Sequence, residues 1–279
     1  MKSIQNKSWL CLLAAALILG QAPLFAGAKK DTPAAPASAV QQEPAPQAPV
    51  TILVAAAASL RNSFEQELIP QFQKKYPWIT VDGTYDSSGK LQTQIEEGLG
   101  ADVFMSAAPT QMNNLLGKNL VSADTVKPLL ENKVVLIKPA GTTTTVTSFQ
   151  TITQAKTIAL GDPASVPAGQ YAREAFISLG IWDAVQAAGP SLGTNVTEVL
   201  NWVGQGSADV GVVYGTDAIS VKTVEIIAEA PAGSHQKVIY PVGILAASAH
   251  PAEAQLLIDF LASAEGLAIF KNYGFSANN

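Results

Sequence analysis

The chain has 279 residues, of which 48% are hydrophobic and 14% are charged, and its formal net charge is −5. That length allows one or two domains with a sizeable core, and a net negative charge without any block of like charge disfavours nucleic-acid binding. Two histidines and one cysteine are too few for a His/Cys metal cluster or a disulfide framework. We therefore expect no nucleic-acid partner, no directly ligated metal ion and no cofactor.

The first 28 residues have the pattern of a secretory signal peptide. Lys2 and Lys7 form a positive segment, residues 9–19 form an apolar run too short for a bilayer span, and residues 26–28 (Ala-Gly-Ala) resemble a cleavage site. We expect cleavage near Ala28 and a mature protein in the periplasm. A retained membrane anchor is the alternative, and Cys11 inside the apolar run disfavours a lipoprotein.

Residues 29–49 are rich in Pro, Ala and Gln and contain no aromatic residue. Such a segment cannot bury enough apolar surface to offset its ordering entropy. We therefore predict an extended, flexible tether without a specific partner.

From Thr51 onward, short apolar strands alternate with loops of small residues and amphipathic helices. The predicted strands are residues 51–54, 80–85, 103–105, 134–137, 157–160, 210–214, 224–227 and 238–245. The predicted helices are residues 60–76, 89–97, a segment around 112–116, 167–180, a segment capped by Asn195, 251–263 and 265–273.

This alternation predicts an α/β protein with mainly parallel sheets covered by helices on both faces. An internal echo indicates two similar lobes, because Ala-Asp-Val opens an apolar strand both at residues 101–103 and at residues 208–210. We interpret Asp102 and Asp209 as scaffold residues rather than as acids.

The loops that enter helices are the candidate binding regions, since ligands of open α/β sheets bind at the carboxyl ends of strands. These loops are residues 55–59, 86–89, 162–169, 194–196 and 213–215. Small side chains, hydroxyls and free backbone N–H groups at positive helix ends suit an anion. The alternative for Ser59 and Ser88 is a plain N-cap, and for Tyr214 a core position.

Several motifs in order resemble the periplasmic molybdate-binding proteins of bacterial ABC importers. They are AAAASL at 55–60, SSGKLQTQIEEG at 87–98, GADVFMSA at 100–107, LGDPASVPAGQYAREAF at 160–176, VVYGTDA at 212–218 and IFKNYGF at 269–275. The resemblance covers essentially all of residues 51–276. Asp86-Ser87-Ser88-Gly89 stands where relatives often have a longer serine run, and Ala108 stands where an Asp is often found.

The resemblance implies a two-lobed type II periplasmic-binding fold with the ligand cleft between the lobes. Residues 50–133 and 239–279 would form lobe 1, and residues 134–238 lobe 2. The implied ligand-binding residues are Ser59, Ser88, Ala168, Val196 and Tyr214, with Asn195 as the alternative to Val196. Molybdenum would be held as an oxyanion through these residues, without a direct bond from the protein to the metal.

The implied function is capture of molybdate, and also of tungstate, by a monomer that delivers the anion to an inner-membrane ABC importer permease. A site built of neutral donors suits a fully ionised oxyanion, whereas phosphate at neutral pH carries a proton that opposes a donor. Sulfate is smaller and would leave donors unsatisfied. The alternatives are a binding protein for another tetrahedral oxyanion such as sulfate, or an α/β-fold hydrolase. The chain is not expected to be an enzyme, because it has no G-x-S-x-G motif and no His near a candidate nucleophile.

Overall fold

The structure, a computed structural model, describes residues 47–278. The predicted signal peptide and residues 29–46 of the predicted tether lie outside the described residues. Over the described range, none of the helices combines the length and the apolar character that a bilayer crossing requires.

The strands of the described chain form a six-stranded and a five-stranded sheet. The first sheet contains β1 (Val50–Ala57), β2 (Ile79–Asp86), β3 (Val103–Met105), β4 (Lys127–Asn132), β10 (Val238–Ile244) and β11 (Ser276–Ala277). Its order is β11-β4-β10-β3-β1-β2. The second sheet contains β5 (Val134–Pro139), β6 (Ile158–Gly161), β7 (Ser191–Gly193), β8 (Val210–Tyr214) and β9 (Val224–Glu229). Its order is β7-β6-β8-β5-β9.

Helices cover both sheets. They are α1 (Arg61–Ser63), α2 (Ile69–Lys75), α3 (Ser88–Glu96), α4 (Pro109–Gly117), α5 (Pro167–Ser178), α6 (Trp182–Ala187), α7 (Val196–Gly204), α8 (Gly215–Ile219), α9 (Pro251–Ala262) and α10 (Ala264–Asn272). A 3-10 turn (Ala58–Leu60) leads into α1, and a π-helical turn (Phe64–Leu68) joins α1 to α2, so residues 58–75 form one continuous helical segment.

The sheets are mixed, which corrects the prediction of mainly parallel sheets. Parallel pairing is confined to β1 with β2 and β3, and to β6 with β7 and β8. Strands β5 and β10, by which the chain enters one sheet from the other, run antiparallel to both of their neighbours. No crossover helix on the same sheet precedes these two strands, and such a helix is what makes consecutive strands parallel.

The chain passes twice between the two halves of this α/β fold. It leaves the first sheet at Asn132, enters the second at Val134, and returns between Glu229 and Val238. Val238 pairs with Asn132 in the first sheet. The lobe boundaries at residues 133/134 and 238/239 stay a prediction.

The first strand is longer than its apolar pattern indicates. We expected Ala55–Ala57 in a loop, but these residues extend β1 and pair in register with β2 as far as Ala57 opposite Asp86. The helical segment predicted at residues 60–76 buries one face, because Leu60, Phe64, Leu68 and Phe72, spaced four residues apart, are all fully buried.

The Ala-Asp-Val sequence that occurs at residues 101–103 and again at residues 208–210 has the same structural role in both halves. The Asp102 carboxylate accepts the Leu53 N–H at 2.8 Å, beside the start of β3. The Asp209 carboxylate accepts the Thr157 N–H at 2.9 Å, beside the start of β8. Both carboxylates therefore tie a strand to its neighbour, as expected for scaffold residues.

Candidate functional site

A small cavity is lined by residues that lie at or just after the carboxyl ends of strands from both sheets. The lining residues are Ala57, Ala58, Ser59, Asp86, Ser87, Ser88, Ala107, Val166, Pro167, Ala168, Val196 and Tyr214. The structure thus brings together all the candidate residues of the sequence analysis, Ser59, Ser88, Ala168, Val196 and Tyr214. Their role as ligands is not thereby established and stays a prediction.

Helix beginnings supply the backbone part of the lining. Ser88, Ala168 and Val196 occupy the first or second position of α3, α5 and α7, and Ser59 lies in the 3-10 turn at residues 58–60. The N–H groups of a first turn have no acceptor within their own helix and carry the positive end of the helix dipole. Pro167 opens α5 with no N–H of its own, so Ala168 is the first residue of that helix able to donate. These helix beginnings therefore offer first-turn N–H groups as donors to the cavity.

Ser88 and Ser59 are not helix caps, so the plain N-cap alternative does not apply. The cap of α3 is Ser87, whose side chain accepts the Lys90 N–H at 3.4 Å. The 3-10 turn that contains Ser59 begins after Ala57, which makes no side-chain cap. Both hydroxyls are thus left for other partners.

Each serine hydroxyl meets another group of the protein. Ser88 is fully buried, and its Oγ accepts the Ala107 N–H at 2.9 Å. Ser59 is half-buried, and its Oγ lies 2.9 Å from the Tyr240 hydroxyl oxygen. Because Ser88 already accepts a hydrogen bond from an N–H, its own proton remains to be donated.

The Tyr214 hydroxyl is buried and has no hydrogen-bond partner among the described residues. Burial raises its pKa well above the usual value, and the nearby Tyr240 adds to this shift, so the hydroxyl keeps its proton. An unpaired buried hydroxyl costs roughly 1–3 kcal/mol. A buried donor on a cavity wall is the expected signature of a site that is completed by an acceptor.

At the start of α7, the structure separates the two residues that the sequence left open. Asn195 is the N-cap: its side chain accepts the Glu198 N–H at 3.0 Å and donates to Asp86 Oδ1 at 3.4 Å. Asn195 borders an adjoining cleft, whereas Val196 lines the cavity itself. The geometry therefore favours Val196 over Asn195 as the donor.

Asp86 also lines the cavity, although the residues predicted from the sequence included only the loop that begins there. Its carboxylate accepts the Ser87 N–H at 2.7 Å and lies 3.5 Å from the Lys90 ammonium. These two contacts offset the charge of the one carboxylate among the lining residues. The available signal was an Asp directly after a predicted strand, in the segment where this chain departs from the longer serine run of its relatives.

The lining offers no coordination site for a bare metal ion. No group of three or more His, Cys, Asp or Glu side chains with metal-binding geometry occurs within residues 47–278. The lining residues include three serines and a tyrosine, together with first-turn N–H groups, and such donors bind oxygen atoms of an anion rather than a cation.

Two mixed sheets with flanking helices and a cavity at their facing strand ends are the architecture of a two-lobed binding protein. The chain belongs to the family of bacterial extracellular solute-binding proteins, whose profile matches residues 52–276. The predicted two-lobed α/β fold is confirmed.

Individual relatives agree with this assignment. The chain is 36% identical over 233 residues to the molybdate-binding protein ModA of Escherichia coli, covering 81% of this chain and 88% of that protein. It is 39% identical over 228 residues to a Bacillus subtilis protein named as an ABC transporter substrate-binding lipoprotein, covering 82% of this chain and 87% of that protein. The solved structure of the periplasmic molybdate-binding protein of Azotobacter vinelandii has a TM-score of 0.72 at 22% identity, covering 82% of this chain and 100% of that chain. The predicted resemblance to periplasmic molybdate-binding proteins is confirmed.

Proposed function

We propose that the protein captures molybdate, and also tungstate, outside the cytoplasm and delivers it to an ABC importer. The observation that carries this proposal is the donor character of the cavity: the Tyr214 hydroxyl has no partner among the described residues, and the Ser88 hydroxyl has a proton left to donate. First-turn N–H groups at Ser59, Ala168 and Val196 add to these donors. Ligands of this type would be held through oxygen, without direct coordination of molybdenum and without a cofactor.

The same geometry speaks against the alternative of a hydrolase. A nucleophilic serine needs a base that accepts its proton. Ser88 Oγ instead accepts a hydrogen bond from the Ala107 N–H, and the neighbour of Ser59 Oγ is the hydroxyl of Tyr240, so neither serine has a base beside it. We therefore propose binding without catalysis.

The family and the relatives support a location outside the cytoplasm and a membrane permease as partner. We propose that residues 1–28 are removed on export, that the mature protein is a periplasmic monomer, and that the permease reads its closed form, since closure around a ligand is a hinge event. N-terminal sequencing of the exported protein tests the cleavage, and an intact residue 1 would contradict it.

Calorimetric titration of the mature chain with molybdate, tungstate, sulfate and phosphate at equal ionic strength tests the ligand. We expect molybdate and tungstate to bind most tightly, sulfate less tightly and phosphate least. Ligand at about 100 times its dissociation constant should raise the free energy of unfolding by roughly 2.7 kcal/mol. Equal affinities for sulfate and molybdate would replace this proposal by the alternative of a general tetrahedral-oxyanion binder.

A further inference from the structure

Asn132 has a side-chain amide whose orientation is fixed by its neighbours. The Lys133 N–H donates to Asn132 Oδ1 at 2.8 Å. The amide nitrogen must then face the other way, where it donates to Thr216 Oγ1 at 2.8 Å and to the Tyr240 hydroxyl oxygen at 3.1 Å. An amide nitrogen has no acceptor lone pair, so Tyr240 can only accept in the second contact.

This fixes the direction of the next hydrogen bond. Tyr240 is fully buried, and burial raises its pKa well above the usual value, so its hydroxyl keeps its proton. With its oxygen accepting from Asn132, Tyr240 directs that proton to its remaining neighbour, Ser59 Oγ at 2.9 Å. Ser59 then accepts from Tyr240, and its own proton is left for the cavity that it lines.

We infer that Asn132 and Tyr240 are positioning residues that hold the Ser59 hydroxyl as a donor and thereby favour oxyanions that carry no proton. This inference rests on the proposed function, since it concerns the anion of the same cavity. Neither residue lines that cavity. Asn132 is the last residue of β4, where the chain passes to the second sheet, so the chain of hydrogen bonds links this crossing to the cavity wall.

Reversing the chain of hydrogen bonds tests the inference. In Asn132→Asp the carboxylate has only acceptors, so Tyr240 would donate to residue 132 and accept from Ser59. Ser59 would then present a lone pair to the anion. We expect molybdate affinity to fall at least about tenfold, since a hydrogen bond to a charged group is lost.

A double-mutant cycle separates this effect from the added negative charge. In Tyr240→Phe no hydroxyl connects residue 132 to Ser59, so Asn132→Asp in that background should weaken molybdate binding by only about twofold. An equal loss in both backgrounds would mean that charge alone acts and would overturn the inference. Tyr273→Phe is the matched control, because its hydroxyl donates to Gln66 at 3.2 Å and Tyr273 is not among the residues that line the cavity.

Anion preference gives a second readout. Sulfate and phosphate are similar in size, but phosphate carries a proton at neutral pH, so their affinity ratio reports on protonation rather than on size. Tyr240→Phe frees Ser59 to accept, and we expect the sulfate-to-phosphate affinity ratio to fall several-fold below that of the wild type, as Ser59 gains an acceptor role. A ratio unchanged in Tyr240→Phe would contradict the inference.

The two proposals fail in different ways. If the wild type bound no molybdate, the proposed function would fail, and the inference with it. If the wild type bound molybdate but the cycle showed no coupling, only the inference would fail. Circular dichroism and melting without ligand confirm that each variant is folded before its affinity is compared.

Discussion

At the residue scale, the two cavity serines differ in what their hydroxyls do for the fold. Ser88 Oγ satisfies a buried N–H, that of Ala107, whereas Ser59 Oγ meets a tyrosine hydroxyl. Removing the Ser88 hydroxyl leaves a buried donor unpaired, which costs about 1–3 kcal/mol. We therefore expect the Ser88 hydroxyl to contribute to both folding stability and ligand binding, and the Ser59 hydroxyl mainly to ligand binding.

Substitution of either serine should weaken molybdate binding. Ser59→Ala and Ser88→Ala each remove a donor to a charged oxygen, and we expect a loss of about 10- to 150-fold in calorimetric titrations. Ser88→Ala should in addition lower the melting temperature of the unliganded protein more than Ser59→Ala does. Ser63→Ala is the control, because its buried Oγ donates to Leu60 O at 2.8 Å outside the cavity. Wild-type affinity in both cavity variants would place the ligand elsewhere.

At the element scale, the short helix α8 places an acid next to the cavity wall. Asp217 lies in its first turn and its carboxylate accepts the Tyr214 N–H at 3.2 Å. Burial raises the pKa of Asp217 from 3.8 to about 7, against the opposing effect of that hydrogen bond. The folded protein thus holds a proton that the unfolded chain releases near pH 4.

This proton makes stability depend on pH. Because the folded-state pKa is raised, the contribution is fully present below about pH 4 and is lost as the pH rises through about 7. We expect urea unfolding to show a loss of ~1–4 kcal/mol between about pH 5 and pH 8. Asp217→Asn should remove this loss. The difference between the two unfolding profiles isolates the contribution of Asp217, because every other titratable group is common to both proteins. An identical pH profile in Asp217→Asn would show that Asp217 is ionised throughout.

The elements also show how far the sequence determines the structure. Strands β3 and β8 were predicted with their observed bounds, because both are buried apolar runs next to a turn. Strand β4 was missed because Pro128 and polar residues interrupt its pattern, and α8 because it is shorter than two helical turns. The site loops were predictable from local chemistry, but the contact of Ser59 with Tyr240 joins residues 181 positions apart, and no local pattern encodes it.

At the scale of the whole molecule, hydrogen bonds join the two halves around the cavity. Gly89 N–H donates to Ser165 O at 3.0 Å, Asn195 donates to Asp86 at 3.4 Å, and Gln111 donates to Gln170 at 3.2 Å. Gly89 allows the closest approach, because a Cβ there would overlap the Ser165 carbonyl and lie 2.7 Å from Ser165 Cα. The described arrangement is therefore a closed one that depends on this glycine.

Gly89→Ala should separate closure from folding. Gly89 is the second residue of α3, where alanine is the better helix former, so the unliganded protein should be as stable as the wild type or up to about 1 kcal/mol more stable. Molybdate affinity should nevertheless fall at least about tenfold, since the lobes cannot close. Gly117→Ala, at the end of α4 with open space around it, is the control. Unchanged affinity in Gly89→Ala would show that the two lobes tolerate the extra methyl group.

The unpaired hydroxyl of Tyr214 affects how often the protein adopts the closed form without a bound anion. When the lobes close without an anion, this buried donor stays unsatisfied, at a cost of about 1–3 kcal/mol. That cost lowers the population of the empty closed form by about 5- to 150-fold relative to the open form. An importer that recognises the closed form would then rarely meet an empty carrier, and few transport cycles would hydrolyse ATP without moving cargo.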